Sequence, residues 1–174
     1  DYKMSTENKK YLIDTDENKK FLEEIRDGLL NFGHAFPSPG GGSYYLGDDG
    51  TPWKDRNRET WITSRMAHVY SIGTFLGHEG SAELADAALK GLRGELHDDV
   101  NGGWYAGLTA NNEIVPTKQC YAHAFVILAA SSGVLAGRPG AQELLDEALK
   151  TYDLRFWNEE EGLSCDTWNT EFTV

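Results

Sequence analysis

Residues 121–130, YAHAFVILAA, decide the fold, because they are apolar nearly all the way round a helix. This pattern predicts a helix that is buried on every side. The next helical stretch, residues 141–156, keeps its apolar residues in one stripe with charged residues beside it. That second pattern is typical of a helix with one face in water. A helix that is buried on every side, which we call an inner helix, is therefore followed by a helix with one face in water, which we call an outer helix.

The same pair of helices occurs once more in the chain, 60 residues earlier. Gly77 and Gly137 match at this offset, and each can end an inner helix. Each copy begins with a glycine-aromatic segment and turn residues, which predict a short hairpin. The sequence predicts helices over residues 59–76, 82–96, 118–135 and 141–156, an amphipathic helix over 18–31, and hairpin turns at 48–50 and 111–112.

Inner buried helices that alternate with outer amphipathic ones describe an all-α fold of the (α/α)6-barrel type, a closed ring also called an α/α toroid. In such a ring the long loops gather at one end and build a pocket there. Repeats bury one another's apolar faces, and about five helices are too few to close the ring. We therefore expect residues 5–174 to form the N-terminal portion of a single α/α-barrel domain, and residues 1–4 to be an artificial leader or a disordered start.

Composition and charge indicate which binding partners and which cellular location to expect. The 174-residue chain has a net charge of −12, with 28 acidic and 16 basic residues. Such a surface repels nucleic-acid phosphates and anionic membranes, so neither is an expected partner. Cys120 and Cys165 fit no metal or redox spacing. Free thiols, and the absence of a signal-peptide pattern, predict a cytoplasmic protein.

The aligned inner helices carry the candidate site. Trp61, Arg65 and His68 share one helix face, at positions i, i+4 and i+7. A buried Arg65 requires either a carboxylate partner or an anionic or polyhydroxyl ligand, and the sequence leaves both open. His68 and His123 stand alone on packed helices, where a histidine is more often a core residue. The sequence has no histidine spacing typical of zinc or di-iron, so no metal site is predicted.

Three segments together resemble one known family: TWITSRMAHVYS at residues 60–71, GGWY at 102–105 and KQCYAH at 118–123. They are similar to the N-acylglucosamine 2-epimerase family, in the branch of the mannose and sulfoquinovose isomerases. The resemblance implies an (α/α)6 barrel of twelve helices. It also implies a sugar isomerase without metal or other cofactor, which interconverts an aldose and a ketose of the mannose–fructose or sulfoquinovose–sulfofructose type, or else a sugar 2-epimerase.

The resemblance further implies roles for particular residues. In this family histidines open the sugar ring and move a proton between C1 and C2 through a cis-enediol, a task that suits the pKa of imidazole. Arg65 and Tyr121 correspond to a substrate-holding arginine and an inner-helix tyrosine, and His68 and Trp61 are further substrate-binding candidates on the Arg65 face. The catalytic histidine pair is expected beyond Val174. This chain is therefore expected to supply part of a monosaccharide pocket and to be inactive alone.

Two other classes of function stay open. The chain could be a truncated, non-catalytic module that binds carbohydrate or protein. Exposed flanks of its inner helices would favour a homo-oligomer or association with the missing half of the barrel. It could also be a glycoside hydrolase on an α/α toroid, in which two loop carboxylates act as acid and base. The candidate carboxylates for that reaction are Asp48, Asp49, Glu59 and Asp98.

Overall fold

The computed structural model describes residues 8–174, and the prediction for residues 1–4 lies outside them. The described residues divide into two compact units, residues 8–34 and 35–174. The assignment of residues 5–174 to one domain stays a prediction. Among the described residues, no helix is both long enough and apolar enough to cross a membrane.

The first unit is built around one long helix. A single 3-10 turn, Lys9–Tyr11, precedes helix α1, Asp16–Phe32. Thr15 caps this helix, because its Oγ1 accepts a hydrogen bond from the backbone N–H of Asn18 at 3.1 Å. The amphipathic helix predicted over residues 18–31 is confirmed, and the threonine cap explains why it begins two residues earlier.

The second unit contains two helical hairpins. Helix α2, Thr60–Phe75, is followed by α3, Ser81–Arg93, and helix α4, Cys120–Leu135, is followed by α5, Ala141–Thr151. A π-helical segment, Tyr152–Phe156, extends α5. Helix α2 packs against both α3 and α4, and α4 packs against α5. Helices α2 and α4 are therefore the inner helices, as the repeat predicts.

Both inner helices end in the same way. Gly77 and Gly137 follow them with left-handed φ angles of +70° and +66°, which a side chain would disfavour. The N–H of the residue after each glycine bonds to a carbonyl in the last helical turn, at 3.0 Å after α2 and 2.8 Å after α4. These are the bonds of a Schellman motif, and they confirm the predicted helix ends.

Short antiparallel strands connect the helices. Strand β1 (Tyr45–Leu46) pairs with β2 (Pro52–Trp53), while β3 (Arg58–Glu59), β4 (Gly107–Leu108) and β5 (Ile114–Val115) form a three-stranded sheet. Strand β6 (Thr117–Gln119) pairs with β9 (Thr167–Asn169), and β7 (Trp157–Asn158) with β8 (Leu163–Ser164). The two predicted hairpins are confirmed. Because β3 and β6 run directly into α2 and α4, they fix where the inner helices begin.

The 60-residue repeat is also a repeat of contacts. Glu59 lies opposite Gly107 in the first copy, and Gln119 lies opposite Thr167 in the second. Each residue of the second pair stands 60 positions after its counterpart in the first pair. The first N–H of each inner helix bonds to the carbonyl that precedes the paired strand, at 3.0 Å for α2 and 2.8 Å for α4. The two copies therefore match residue for residue where the inner helices begin.

One prediction about the inner helices is wrong. Residues 121–130 were expected to be buried on every side, but Tyr121 is 52% exposed and Leu128 is 37% exposed. The opposite face of α4 is buried, since it packs against α2 and α5. An inner helix needs neighbours on all sides, and residues 35–174 contain only two inner helices. One face of each inner helix therefore meets solvent in this chain.

Candidate functional site

The candidate site lies on the exposed face of α2 and α4, close to where these helices begin. The guanidinium carbon of Arg65 is 4.8 Å from the centre of the Trp61 ring and 5.0 Å from that of Phe125. A cation at such distances is attracted by the electron-rich ring faces. The two rings thus hold Arg65 in place.

The structure shows the surroundings of Arg65, for which the sequence left two alternatives open. The expected burial of this side chain is wrong, because the aromatic contacts hold it at the open face of α2, where it is exposed. Within residues 8–174 it forms no ion pair. No carboxylate partner is present among the described residues, and the exposed guanidinium has N–H donors that water or a ligand can accept.

Aromatic rings from both inner helices form a wall beside Arg65. The ring centres of Trp61 and Tyr121 are 6.0 Å apart, those of Trp61 and Phe125 6.4 Å, and those of Tyr121 and Phe125 4.9 Å. Flat apolar rings next to a few fixed polar groups are typical of small-molecule sites. Three of the four predicted substrate-binding residues, Trp61, Arg65 and Tyr121, are therefore brought together.

The carboxylate of Glu59 connects these aromatic rings to the hairpin of strands β1 and β2. Glu59 Oε2 accepts a hydrogen bond from Trp61 Nε1 at 3.0 Å and another from the hydroxyl of Tyr45. Burial, reinforced by the bond to Glu59, raises the pKa of Tyr45 to about 12, so this phenol remains a donor at neutral pH. We call the whole set the aromatic–arginine cluster: Tyr45, Glu59, Trp61, Arg65, Tyr121 and Phe125.

His68 lies on the same helix as Arg65, about one turn further along. Its Nδ1 is 2.7 Å from the hydroxyl oxygen of Ser132, and its side chain is half-buried. This bond joins α2 to α4. The structure therefore gives His68 a packing partner, as expected for a lone histidine on a packed helix, and does not bring it into the aromatic–arginine cluster.

His123 is a core residue. Its Nδ1 lies 2.7 Å from the carbonyl oxygen of Gln119, and its Nε2 accepts the backbone N–H of Trp104 at 3.1 Å. Burial lowers the pKa of His123 to about 4, so the ring is neutral at pH 7. The prediction that this histidine is structural is confirmed.

A buried ion pair lies beneath the start of α4. Lys118 Nζ donates to Asp98 Oδ2 at 2.7 Å and to the carbonyl oxygens of Gly102 and Thr170 at 2.6 and 2.7 Å. The centre of the Phe172 ring lies 4.2 Å from the same nitrogen. Burial acts to raise the pKa of Asp98, but its hydrogen bonds, led by that from Lys118, outweigh burial and hold this pKa well below its usual range. Asp98 is therefore a structural anion, unlike the loop carboxylates that a glycosidase uses.

Sequence reasoning missed the partners of His97 and the role of Glu59. His97 Nδ1 is 2.6 Å from Asp99, and its Nε2 is 2.5 Å from Glu147 on α5, too far along the chain for a local pattern to reveal. The only sequence feature that could have indicated the role of Glu59 is its position two residues before Trp61.

In the part of the chain that the structure describes, no group of three or more His, Cys, Asp or Glu side chains could hold a metal ion.

Fold and site together define a class of protein: a partial α/α barrel with an aromatic–arginine cluster on the exposed face of its inner helices. The chain belongs to the N-acylglucosamine 2-epimerase (GlcNAc 2-epimerase) family, which matches it over residues 41–174. The resemblance carried by the three sequence segments is thereby confirmed.

The chain is similar to two named sugar isomerases. It is 39% identical to the D-mannose isomerase of Thermobifida fusca over 153 residues, which are 87% of this chain and 38% of that protein. It is 40% identical to the D-mannose isomerase of Pseudomonas cannabina pv. alisalensis over 114 residues, which are 66% of this chain and 27% of that protein.

Solved structures confirm the fold. A D-mannose isomerase crystal structure matches with a TM-score of 0.80 and 22% identity, covering 90% of this chain and 42% of its own. The cellobiose 2-epimerase from Spirochaeta thermophila DSM 6192 matches with a TM-score of 0.76 and 19% identity, covering 92% and 43%. The chain thus spans between 27% and 43% of the length of these four proteins.

Proposed function

We propose that the full-length protein carrying this chain is an aldose–ketose isomerase, and that this chain supplies part of its sugar pocket. Its substrate is a monosaccharide of the mannose–fructose or the sulfoquinovose–sulfofructose type. The observation that carries the proposal is Arg65, a cation held by Trp61 and Phe125 with no carboxylate partner among the described residues.

The cluster offers the contacts that a sugar needs. The rings of Trp61 and Tyr121 can pack against the C–H face of a sugar, while the guanidinium of Arg65 donates to its hydroxyl oxygens. Tyr121 is 52% exposed, so a sugar can contact it. His68 borders this surface one turn away, where it supports the packing of the two inner helices.

The proposed reaction rearranges hydrogen atoms and changes no formula. After the sugar ring opens, a histidine removes the proton from C2 of the aldose, and the C1 oxygen gains a proton to give a cis-enediol. A proton is then added to C1 while the C2 hydroxyl releases one, which gives the ketose. Imidazole can perform both transfers near neutral pH without a metal. We place this histidine pair beyond Val174.

The sequence relatives favour mannose among the candidate substrates. Both named relatives are D-mannose isomerases, and one aligns over 87% of this chain. We also place the reaction in the cytoplasm, because Cys120 and Cys165 are both unpaired thiols.

A product assay tests this proposal. The full-length protein is treated with EDTA and incubated separately with D-mannose and with sulfoquinovose. We expect formation of the corresponding ketose from at least one of these sugars, with no added metal. Failure to form either ketose would overturn the proposed activity.

A non-catalytic binding module is the second candidate. The observation in its favour is the exposed apolar face of α4, on which Tyr121 and Leu128 are 52% and 37% exposed. Such a module would bind a sugar without turnover or would self-associate through this face. Size-exclusion chromatography with light scattering, combined with the product assay, distinguishes the isomerase from the binding module. An oligomer that forms no ketose favours the binding module.

A further inference from the structure

A polar cavity of about 320 Å³ lies among the loops of the first repeat. Its volume is at the lower end of the ~300–1,000 Å³ range of small-molecule sites. None of the residues that line it belongs to the aromatic–arginine cluster. Its polar walls come from the side chains of Tyr44, Lys54, Arg58, Glu95 and Asn112.

Arg58 is a buried guanidinium that faces this cavity with hydrogen-bonding capacity to spare. It is 6% exposed. Its Nη1 donates to Ser38 at 2.9 Å and to Glu95 at 3.2 Å, and its Nη2 donates to Asn112. A guanidinium has five N–H donors, so two of them have no acceptor within residues 8–174. No Arg58 nitrogen is both fully buried and without a partner, so the two spare donors are accessible to water or to a ligand in the cavity.

In the second repeat, the space that corresponds to this cavity is filled by a side chain. Lys118 matches Arg58, and Phe172 matches Asn112, at the 60-residue offset. Asn112 and Phe172 even share a left-handed backbone, with φ angles of 65° and 58°. In the second repeat the Phe172 ring covers the lysine, whose three acceptors are all protein atoms. In the first repeat an amide replaces that ring, and the space beside the cation is open.

The walls of the cavity combine opposite charges. Arg58 and Glu95 neutralise each other, and the Glu95 carboxylate lies so close to Gly40 that a Cβ there would be 2.0 Å from its Oε1. Asn112 supplies both a donor and an acceptor, and Tyr44 adds a ring. Lys54 adds a second cation, so the lining carries one net positive charge. Hydroxyl groups can accept from Lys54 and Asn112 and also donate to Glu95, whereas a carboxylate or phosphate would be repelled by Glu95 and has no proton to donate to it.

The cavity and the aromatic–arginine cluster lie on opposite sides of the same backbone. Arg58 lines the cavity, while the next residue, Glu59, bonds to Trp61. Tyr44 likewise lines the cavity, while Tyr45 bonds to Glu59. Successive side chains of an extended chain point in opposite directions, so the two sets of side chains are separated by the strands themselves.

We propose that this cavity is a second binding site, for a neutral polyhydroxylated molecule of monosaccharide size. The proposal goes beyond the proposed function, because the cavity shares no residue with the proposed substrate pocket. Its failure would leave the isomerase proposal intact.

Backbone NMR of the ¹⁵N-labelled full-length protein tests it. ¹H–¹⁵N spectra are recorded during titrations with D-mannose, D-fructose and mannitol, each up to about 100 mM, which would saturate a site with a Kd of ~1–10 mM. We expect at least one of these probes to shift the amides of Tyr44, Glu95 and Asn112 in a saturable way.

Four variants identify the source of those shifts. Asn112→Phe introduces the residue that the second repeat carries at this place, and Asn112→Gly keeps the left-handed backbone but removes the amide. Both should weaken binding at least tenfold. Asn111→Gly, in the same turn, and Arg65→Ala, in the aromatic–arginine cluster, should change it less than twofold. The proposal is overturned if no probe shifts these amides, if both Asn112 variants bind normally, or if Arg65→Ala abolishes the shifts.

Discussion

Arg65 and Trp61 form one unit, in which the guanidinium carbon lies 4.8 Å from the centre of the indole ring. The same indole donates its N–H to Glu59 at 3.0 Å, so the ring cannot turn away without losing a hydrogen bond. A cation is thereby kept on an open helix face beside aromatic rings. Arg65 makes no ion pair within residues 8–174, which supports the role in sugar binding that we propose for it.

Removing Arg65 should impair sugar binding far more than folding. Hydrogen bonds to a charged group contribute about 1.5–3 kcal/mol, so Arg65→Ala should weaken sugar affinity at least tenfold. Only ring contacts are lost in the fold, and the free energy of unfolding should fall by about 1 kcal/mol or less. Arg56→Ala is the matched control, because Arg56 lies 4.3 Å from the centre of the Trp53 ring outside the cluster. Equal loss of affinity in both variants would contradict the account.

The buried pair of Lys118 and Asp98 should be essential for stability. Lys118→Met leaves a buried carboxylate without its cation, which destabilises a protein by about 3–5 kcal/mol. The control is Lys150→Met on the exposed side of α5, expected within about 0.5 kcal/mol of the original chain. Urea unfolding measures both. A small effect of Lys118→Met would mean that the ion pair contributes little.

Acid should weaken the fold through His123. The folded pKa of about 4 lies below the ordinary value of 6.5, so the unfolded chain binds the proton more readily between these values. This contribution to stability is complete above pH 6.5 and is lost as the pH falls to 4, by about 3 kcal/mol in total. His123→Gln cannot titrate in this range. Its free energy of unfolding should therefore fall less steeply between pH 6.5 and 4, and parallel curves would refute the assignment.

Gly91 should tolerate no side chain. A Cβ on it would lie 2.2 Å from the backbone nitrogen of Gly42, because α3 and the glycine-rich loop touch backbone to backbone. Gly91→Ala should therefore destabilise the chain by several kcal/mol. Gly28→Ala in α1 meets no atom within 4 Å and should stabilise the chain by about 0.5–1 kcal/mol through helix propensity. Thermal melts of the two variants, shifted in opposite directions, would confirm this difference.

Helix positions could be predicted because periodicity and glycine caps are local signals. The repeat also predicted which residues of α2 and α4 correspond, and the structure places Trp61 beside Tyr121 and Phe125 accordingly. The exposure of Arg65 could not be predicted in this way. Apolar periodicity shows which faces can be buried, whereas exposure depends on how many neighbouring helices are present.

Contacts between residues far apart in the chain also could not be predicted from the sequence. Arg58 bonds to Asn112 across 54 residues, and His97 to Glu147 across 50. No local spacing records such pairs, since they depend on how loops meet after the helices pack. The offset of the repeat was the useful guide, because it shows that Asn112 stands where the second repeat places Phe172.

Arg65 is proposed to belong to the sugar pocket of an isomerase, and proton NMR of D-mannose and of sulfoquinovose in D₂O measures whether it does. The EDTA-treated full-length protein and its Arg65→Ala variant are compared. From at least one of the two sugars we expect the corresponding ketose with deuterium at C1, deuterium at C2 of the returned aldose, and a rate at least about tenfold lower in the folded variant. If neither sugar gives ketose or exchange, or if the two proteins react at equal rates, Arg65 does not have this role.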